Sequence, residues 1–249
     1  MEELGLIQAA LLVGGGLVAG IVNTLAGGGS LLTVPLLVML GLPGTIANGT
    51  NRVGIVFQCS VAVWRFRASG ALDLREVLPV FLPVAVGSVL GATLIAGVAD
   101  ETFERAFGVV MLLLLVPLLR GTPARRTSQP TRHGRALTTL LYFGIGLYAG
   151  AFQAGVGVPL LFALLYAGND MLRANALKVA VIALATAVAI PVFVAAGQVA
   201  WAPALLLAVG FSAGGALGAR LAIEAGERLV RPLLLLAVAA LSGRMLGLF

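Results

Sequence analysis

Charged residues are scarce in this chain, and their scarcity excludes a soluble protein. Only 10% of the 249 residues are charged, whereas a soluble domain carries about 25%. Hydrophobic residues make up 60%, and the mean hydropathy is +1.07. So little polar surface cannot cover an exterior that faces water, and lipid must be the solvent. The net charge of +6 therefore does not indicate nucleic acid, because the basic residues lie mainly in joints between apolar runs, where they set topology.

The residue types that carry catalysis and metal binding are also missing. There is one cysteine, Cys59, and one histidine, His133, so neither an internal disulfide nor a His/Cys metal spacing is available. All ten acidic residues lie at the N-terminus or in joints. We therefore expect no enzyme, no cofactor and no bound metal. Cation or metal transport would require carboxylates, thiols or histidines within the membrane, and a proton relay would require an intramembrane carboxylate.

Long apolar runs make up most of the chain, and they predict α-helices. A spanning helix needs about 20 apolar residues, whereas a β-barrel would show alternating stretches of about ten. Two runs are too short to span comfortably at about 1.5 Å per residue and predict half-helices or arms of broken hairpins: 30–41 and 157–168. The ten apolar segments are 4–26, 30–41, 44–66, 76–98, 103–119, 136–154, 157–168, 171–196, 202–223 and 229–248.

An internal repeat divides the chain. Gly70, Gly87 and Gly91 recur at a constant spacing as Gly197, Gly214 and Gly218. The sequence GSVLGATL around the first set is similar to GGALGARL around the second. A fixed spacing over this length indicates duplication. We therefore predict an N-terminal membrane repeat over 1–120, a basic linker over 121–135 and a C-terminal membrane repeat over 136–249.

The basic residues predict that the two repeats have opposite orientation. The stretch 120–135, which contains the linker, carries five arginines and no acid, so it should face the cytoplasm. The joint 65–75 is also basic, but its counterpart 196–201 is uncharged, whereas the acidic joint 100–104 has a basic counterpart at 224–231. This exchange indicates an inverted repeat, with a parallel repeat as the competing interpretation. We predict an all-α, multi-pass protein of the cell inner membrane, with two inverted repeats of about five segments each and roughly eight spanning helices.

A glycine-rich loop in each half is the first candidate site. The run NTLAGGGSLLTVP (23–35) places a flexible loop before a helix N-terminus, whose free N–H groups and partial positive charge suit an anion. The second half has the shorter counterpart QAGVGVP (153–159). A packing seam or an ordinary turn is the alternative. The candidate residues here are Asn23, Gly28, Gly29, Ser30, Gln153, Gly155 and Gly157.

Two cations within apolar segments form the second candidate. Arg52 follows the run ANGTN and Lys178 follows ANAL, about two turns into corresponding segments. An ionisable side chain inside a spanning segment is costly to bury and suggests function. Each cation taken alone could instead extend to the headgroups. Taken together they could hold an anion near a pseudo-twofold axis, with these neighbours: Asn48, Thr50, Asn51 and Asn175.

These motifs resemble the sulfite exporter TauE/SafE family of membrane transporters. The matching runs are GIVNTLAGGGSLLTVPLLVMLGLP, ANGTNRVGIVFQ, GAFQAGVGVPLL, ANALKV and GQVAW, in that order along nearly the whole chain. The resemblance implies a cytoplasmic-membrane transporter of small anions, often sulfur-containing ones. By matching position it points to the candidate residues above and to Gly27. The second glycine loop is shorter than the first, so the two loops need not act equally.

The sequence therefore favours an exporter of a small anion, such as sulfite or an organosulfonate, bound between the halves. Its expected partners are the anion and the lipid bilayer, without nucleic acid, and a homodimer is one oligomeric state to consider. The absence of intramembrane carboxylates favours facilitated or potential-driven export. The alternative is a non-transporting membrane anchor or assembly partner of another complex.

Overall fold

The computed structural model describes residues 5–120 and 135–224, with 115–120 described by backbone alone. This part of the chain contains helices and connecting turns and no β-strand. A short 3₁₀ turn, Leu74–Glu76, precedes α4. The helices are α1 (Leu6–Ala26), α2 (Ser30–Met39), α3 (Gly44–Ala68), α4 (Val77–Ala96), α5 (Asp100–Arg120), α6 (Arg135–Ala151), α7 (Gly157–Tyr166), α8 (Met171–Ala195) and α9 (Trp201–Glu224).

The predicted all-α class is confirmed, and both short segments form short helices. α2 and α7 have 10 residues each, about 15 Å of helix, which is half of a bilayer core. Within the described residues, four helical stretches are long and apolar enough to span: α1, Leu74–Ala96, α8 and α9. The last apolar segment, 229–248, and the linker except Arg135 lie outside the described residues. The repeat boundaries and the eight-span count stay predictions.

Glycines bring α1 and α9 into backbone contact. A Cβ built on Gly210 would lie 2.0 Å from the carbonyl oxygen of Val13, and one on Gly214 would lie 2.2 Å from that of Leu17. Such distances are too short for any side chain, so only glycine permits this approach. The contacts advance together along the two helices, which shows that α1 and α9 run in the same direction.

The pair α4 and α6 repeats this arrangement. A Cβ on Gly87 would lie 2.2 Å from the carbonyl oxygen of Phe143, and one on Gly91 would lie 2.0 Å from that of Leu147. These helices also run in the same direction. Each pair joins the first half of the chain to the second, so the two halves are packed against each other by glycine-lined helices.

α3 and α8 pass each other in opposite directions through the centre. A Cβ on Gly49, near the start of α3, would lie 3.2 Å from Cβ of Phe193, near the end of α8. Further along α3, Gln58 bonds to Thr24, and Lys178, near the start of α8, bonds to the same residue. Contact positions that rise on one helix and fall on the other define an antiparallel pair.

Two further contacts fix the remaining directions. Gly54 of α3 lies against Phe211 of α9, and Gly215 of α9 lies against Gln58 of α3, so α3 and α9 are parallel. Arg173 at the start of α8 bonds to Glu76 before α4, and Ser88 in α4 bonds to Ala185 in α8, so α4 and α8 are parallel. Thus α1, α3 and α9 run one way, whereas α4, α6 and α8 run the other.

Candidate functional site

The two predicted loops meet at the centre of the molecule. α1 ends at Ala26, and Gly27 follows in a left-handed conformation with φ of 80°. The amide of Gly157, at the start of α7, donates to the carbonyl oxygen of Gly27 over 3.3 Å. A Cβ on either glycine would lie 2.3 Å from the Cα of the other. Direct contact between the two loops therefore requires glycine at both positions.

The first loop presents unpartnered donors. Among the described residues, the amides of Gly28, Gly29 and Ser30 have no hydrogen-bond acceptor. The Ser30 hydroxyl is buried and also has no partner there. Consecutive free amides at a helix N-terminus form a concavity suited to an anion. The predicted anion-binding character of this loop therefore has a geometric basis in the start of α2.

Arg52 is fully buried and contacts the end of α6. Its Nη1 donates to Oε1 of Gln153 over 3.1 Å, and its Nη2 donates to the carbonyl oxygen of Gly150. The guanidinium lies 4.4 Å from the ring centroid of Phe193, a cation–π geometry. Its Nε is buried and has no partner among the described residues. With an exposure of 0%, Arg52 does not extend to the headgroups.

Lys178 is equally buried and contacts the end of α1. Its exposure is 0%, and its Nζ donates to the carbonyl oxygen of Thr24 over 3.1 Å. Each cation therefore binds a carbonyl in the last turn of a helix from the opposite half of the chain. The C-terminal end of a helix carries a partial negative charge, so this placement stabilises both cations.

The two cations lie at different levels of the bundle. Six residues of α3, about 9 Å of helix, separate Arg52 from Gln58. Gln58 and Lys178 both contact Thr24, so Lys178 lies near the level of Gln58. One cation is thus at the end of α6 and the other at the end of α1.

A chain of polar side chains ends at Thr24, whose carbonyl oxygen binds Lys178. Nδ2 of Asn23 donates to Oε1 of Gln58 over 2.5 Å, and Nε2 of Gln58 donates to the hydroxyl of Thr24 over 2.6 Å. All three residues are buried. Gln58 joins α1 to α3 and was not among the predicted binding residues, because an amide in lipid serves equally well to join helices. Its signal in the sequence was a lone amide within an apolar run.

The asparagines of α3 and α8 carry unpartnered polar atoms. Nδ2 of Asn48 donates to the carbonyl oxygen of Ala151 over 2.9 Å, and Oδ1 of Asn51 accepts from the hydroxyl of Thr33 over 2.5 Å. In the described part of the chain, Oδ1 of Asn48, Nδ2 of Asn51 and Oδ1 of Asn175 are buried and lack partners. Native proteins rarely leave such groups unsatisfied, so these atoms are candidate ligand contacts.

Thr50 faces elsewhere. Its hydroxyl accepts from the amide of Ala200 over 2.9 Å. This bond anchors the turn between α8 and α9, which is a structural role visible in the geometry. Thr33, Thr186 and Phe193 contact Asn51, Gln153 and Arg52 respectively, and sequence analysis missed all three because threonine and phenylalanine are common in apolar helices.

Gln153 follows α6 in a left-handed conformation, at a place where helices often end with glycine. Its φ is 60°, and it is the non-glycine residue with positive φ in the described part of the chain. Its Nε2 donates to the hydroxyl of Thr186 over 2.9 Å, while its Oε1 accepts from Arg52. Gly155 has a φ of 63° and packs against Leu114. The second loop is therefore built around a glutamine side chain rather than around a run of glycines.

The apolar helices and the polar centre define a polytopic membrane protein with a buried, positively charged core. The family model for "Sulfite exporter TauE/SafE" matches residues 12–245. The chain therefore belongs to the sulfite exporter TauE/SafE family, and it is a membrane transporter rather than an enzyme. Membership implies a lipid environment and a transported substrate, as expected from the sequence.

Curated relatives cover nearly the whole chain. "Probable membrane transporter protein ORF9" of Sinorhizobium sp is 30% identical over 252 residues, covering 99% of this chain and 95% of the relative. "Probable membrane transporter protein" of Haemophilus influenzae is 26% identical, covering 98% and 96%. "Probable membrane transporter protein YfcA" of Escherichia coli is 26% identical, covering 92% and 86%. No solved structure gives a significant match.

Proposed function

We propose that this protein exports a small anion, such as sulfite or an organosulfonate, across the cell inner membrane. The anion would bind between the two halves, near Arg52, Lys178 and the glycine-loop helix N-termini. Membership of a family described as sulfite exporters supports this substrate class. The non-transporting anchor is set aside, because the family and the relatives are described as transporters.

The observation that carries the proposal is the environment of Arg52. Its guanidinium is buried against two neutral acceptors and an aromatic ring. Among the described residues, no aspartate or glutamate is buried. A buried charge is costly unless it is compensated, and a bound anion would supply that compensation. The free amides of Gly28, Gly29 and Ser30 add uncharged donors to the same central region.

The helix directions support an inverted repeat and alternating access. α1 and α6 run in opposite directions, as do α3 and α8, and α4 and α9. Each of these pairs occupies equivalent places in the two halves of the sequence. Inverted repeats with broken helices at the midplane are typical of secondary transporters, in which the halves rock about a central site. The short helices α2 and α7 would form the broken hairpins.

Removal of either cation tests the site. A ligand that binds only the folded state raises the apparent melting temperature. Purified wild-type protein should therefore be stabilised by sulfite or by an organosulfonate, whereas Arg52→Ala and Lys178→Ala should fold but lose this stabilisation. Arg220→Ala is the matched control, because Arg220 is exposed and pairs with Glu224. Helix content measured by far-ultraviolet circular dichroism, together with size-exclusion chromatography, would establish that the variants are folded.

Retention of full ligand-induced stabilisation in both Arg52→Ala and Lys178→Ala would refute the assigned site. Transport assays in inside-out and right-side-out vesicles would establish the direction. Export predicts that inside-out vesicles accumulate the anion, because their outer face is the cytoplasmic face. The same chromatography would measure the oligomeric state, for which a homodimer remains a prediction.

A further inference from the structure

Asn48 presents an acceptor, and not a donor, to the region beside Arg52. Its Nδ2 donates to the carbonyl oxygen of Ala151 over 2.9 Å. Reversal of the amide would place two oxygens against each other, so this bond fixes its orientation. Oδ1 therefore faces away from Ala151, and it has no partner among the described residues although the side chain is fully buried.

This acceptor lies close to the guanidinium of Arg52. Asn48 and Arg52 are one helical turn apart on α3 and therefore share a face. They bind the consecutive carbonyl oxygens of Ala151 and Gly150, respectively. Nη1 and Nη2 of Arg52 each already donate one hydrogen bond. Its Nε is also buried and has no partner among the described residues. A ligand here would meet one charged donor and one neutral acceptor from neighbouring side chains of α3.

The second half of the chain also pairs a buried asparagine with a buried cation. Asn175 lies three residues before Lys178 on α8, so the two side chains are also neighbours on one helix face. Oδ1 of Asn175 is buried and unpartnered in the described part of the chain. A buried asparagine beside a buried cation therefore occurs in both halves, at corresponding places in the sequence.

A buried acceptor selects ligands that carry a donor. A fully deprotonated oxyanion such as sulfate has only acceptor oxygens, so it would face Oδ1 of Asn48 with lone pairs on both sides. A ligand with an O–H group can satisfy Oδ1 while its anionic oxygens accept from Arg52. Sites built around a hydrogen bond reject analogues that lack the partner, because a buried polar group is left unpaired.

We propose that the preferred substrates are singly charged oxyanions that also carry an O–H donor, and that Asn48 selects them. Hydrogensulfite and hydroxyalkanesulfonates share this chemistry, whereas sulfate and simple alkanesulfonates lack it. The inference rests on the proposed function, since it concerns the specificity of the same site.

Isethionate and ethanesulfonate provide the test, because they differ by one hydroxyl group. Wild-type protein should bind isethionate about tenfold more tightly than ethanesulfonate, measured by thermal stabilisation and isothermal titration calorimetry. In Asn48→Leu, which has a similar volume and no acceptor, the ratio should fall close to one. Asn169→Leu is the matched control and should keep the wild-type ratio, because Asn169 also donates to a helix-terminal carbonyl, that of Leu164, but lies in the turn before α8.

Sulfite distinguishes the two sources of the donor. The pH dependence of binding would be measured for both ligands. If sulfite binds more tightly at pH values below its second pKa, while the affinity for isethionate does not change with pH, the site selects the protonated oxyanion as well as the hydroxyl group. If isethionate alone shows the preference, the hydroxyalkanesulfonate is the supported class.

The outcomes separate this inference from the proposed function. Equal wild-type affinity for isethionate and ethanesulfonate, together with sulfite binding that does not depend on its protonation, would overturn the inference and leave the anion site intact. No binding of any of these anions would overturn the proposed function, and the inference with it. If Asn48→Leu fails to fold, the wild-type ratio and the pH dependence of sulfite binding together decide whether an O–H donor is selected.

Discussion

At the scale of the residue, Gln153 combines an unfavourable backbone with a well-bonded side chain. Its positive φ places an L-residue in the left-handed region, where the cost is roughly 1–2 kcal/mol relative to glycine. Helices often end with glycine at such a position, and Gly27 ends α1 in this way. The side chain of Gln153 contacts Arg52 and Thr186, so these contacts, and not the backbone conformation, account for a glutamine at this position.

We predict that Gln153→Gly is more stable than Gln153→Ala by about 1 kcal/mol. Both variants lose the acceptor for Arg52, and only the glycine variant loses the backbone strain. Denaturation in matched detergent would measure the difference. Ligand-induced stabilisation should be weakened equally in both variants, since neither has the side chain. Greater stability of the alanine variant would contradict the backbone argument.

At the scale of the element, glycine seams hold the two halves of the chain together. The pairs α1–α9 and α4–α6 approach so closely that a Cβ on the central glycines would overlap backbone atoms of the partner helix. In lipid, close packing between helices replaces the hydrophobic effect as the force for association. The seams should therefore be sensitive to single methyl groups, and glycines outside them should not.

Gly91→Ala and Gly144→Ala test this distinction between two glycines at the α4–α6 pair. The first would place a Cβ 2.0 Å from the carbonyl oxygen of Leu147, so the helices must separate, and we expect a loss of about 1–3 kcal/mol of stability. A Cβ on Gly144 would meet nothing within 4 Å, so its replacement should stabilise α6 by up to about 1 kcal/mol. Thermal unfolding in detergent would measure both. Equal effects would argue against the seam.

At the scale of the whole molecule, helix direction and arginine distribution favour the same topology. The turn after α3 follows Arg65 and Arg67 in the last turn of that helix, whereas the equivalent turn after α8 has no basic residue. Because α3 and α8 are antiparallel, these two turns should lie on opposite sides of the membrane. The positive-inside rule assigns the first to the cytoplasm.

Cysteine labelling would test this topology directly. The chain has one cysteine, Cys59, which is buried, so Cys59→Ala gives a background without thiols. Ser69→Cys and Ala196→Cys are matched, since both residues are exposed and directly follow the long helices α3 and α8. We expect a membrane-impermeant maleimide to label the second from outside intact cells and the first only after the membrane is opened. Labelling of both from one side would contradict the inverted arrangement.

The sequence alone determined the class of the protein and most of its elements. Lipid is the solvent of a chain with so few charges, and the apolar runs correspond closely to the helices because run length and composition are local properties. The short helices α2 and α7 were predicted for the same reason. Arg52 and Lys178 could also be singled out as candidate site residues, since a cation within an apolar run is costly wherever the run packs.

Only the tertiary structure decided which groups meet. The sequence could not show that Arg52 binds the end of α6, that Lys178 binds the end of α1, or that the two cations lie at different levels. It also did not show that Gln58 and Thr33 contact the predicted site residues, or that Thr50 bonds to the turn after α8 instead. These contacts join residues that are distant along the chain, and they depend on the rotation and direction of packed helices, which hydropathy does not encode.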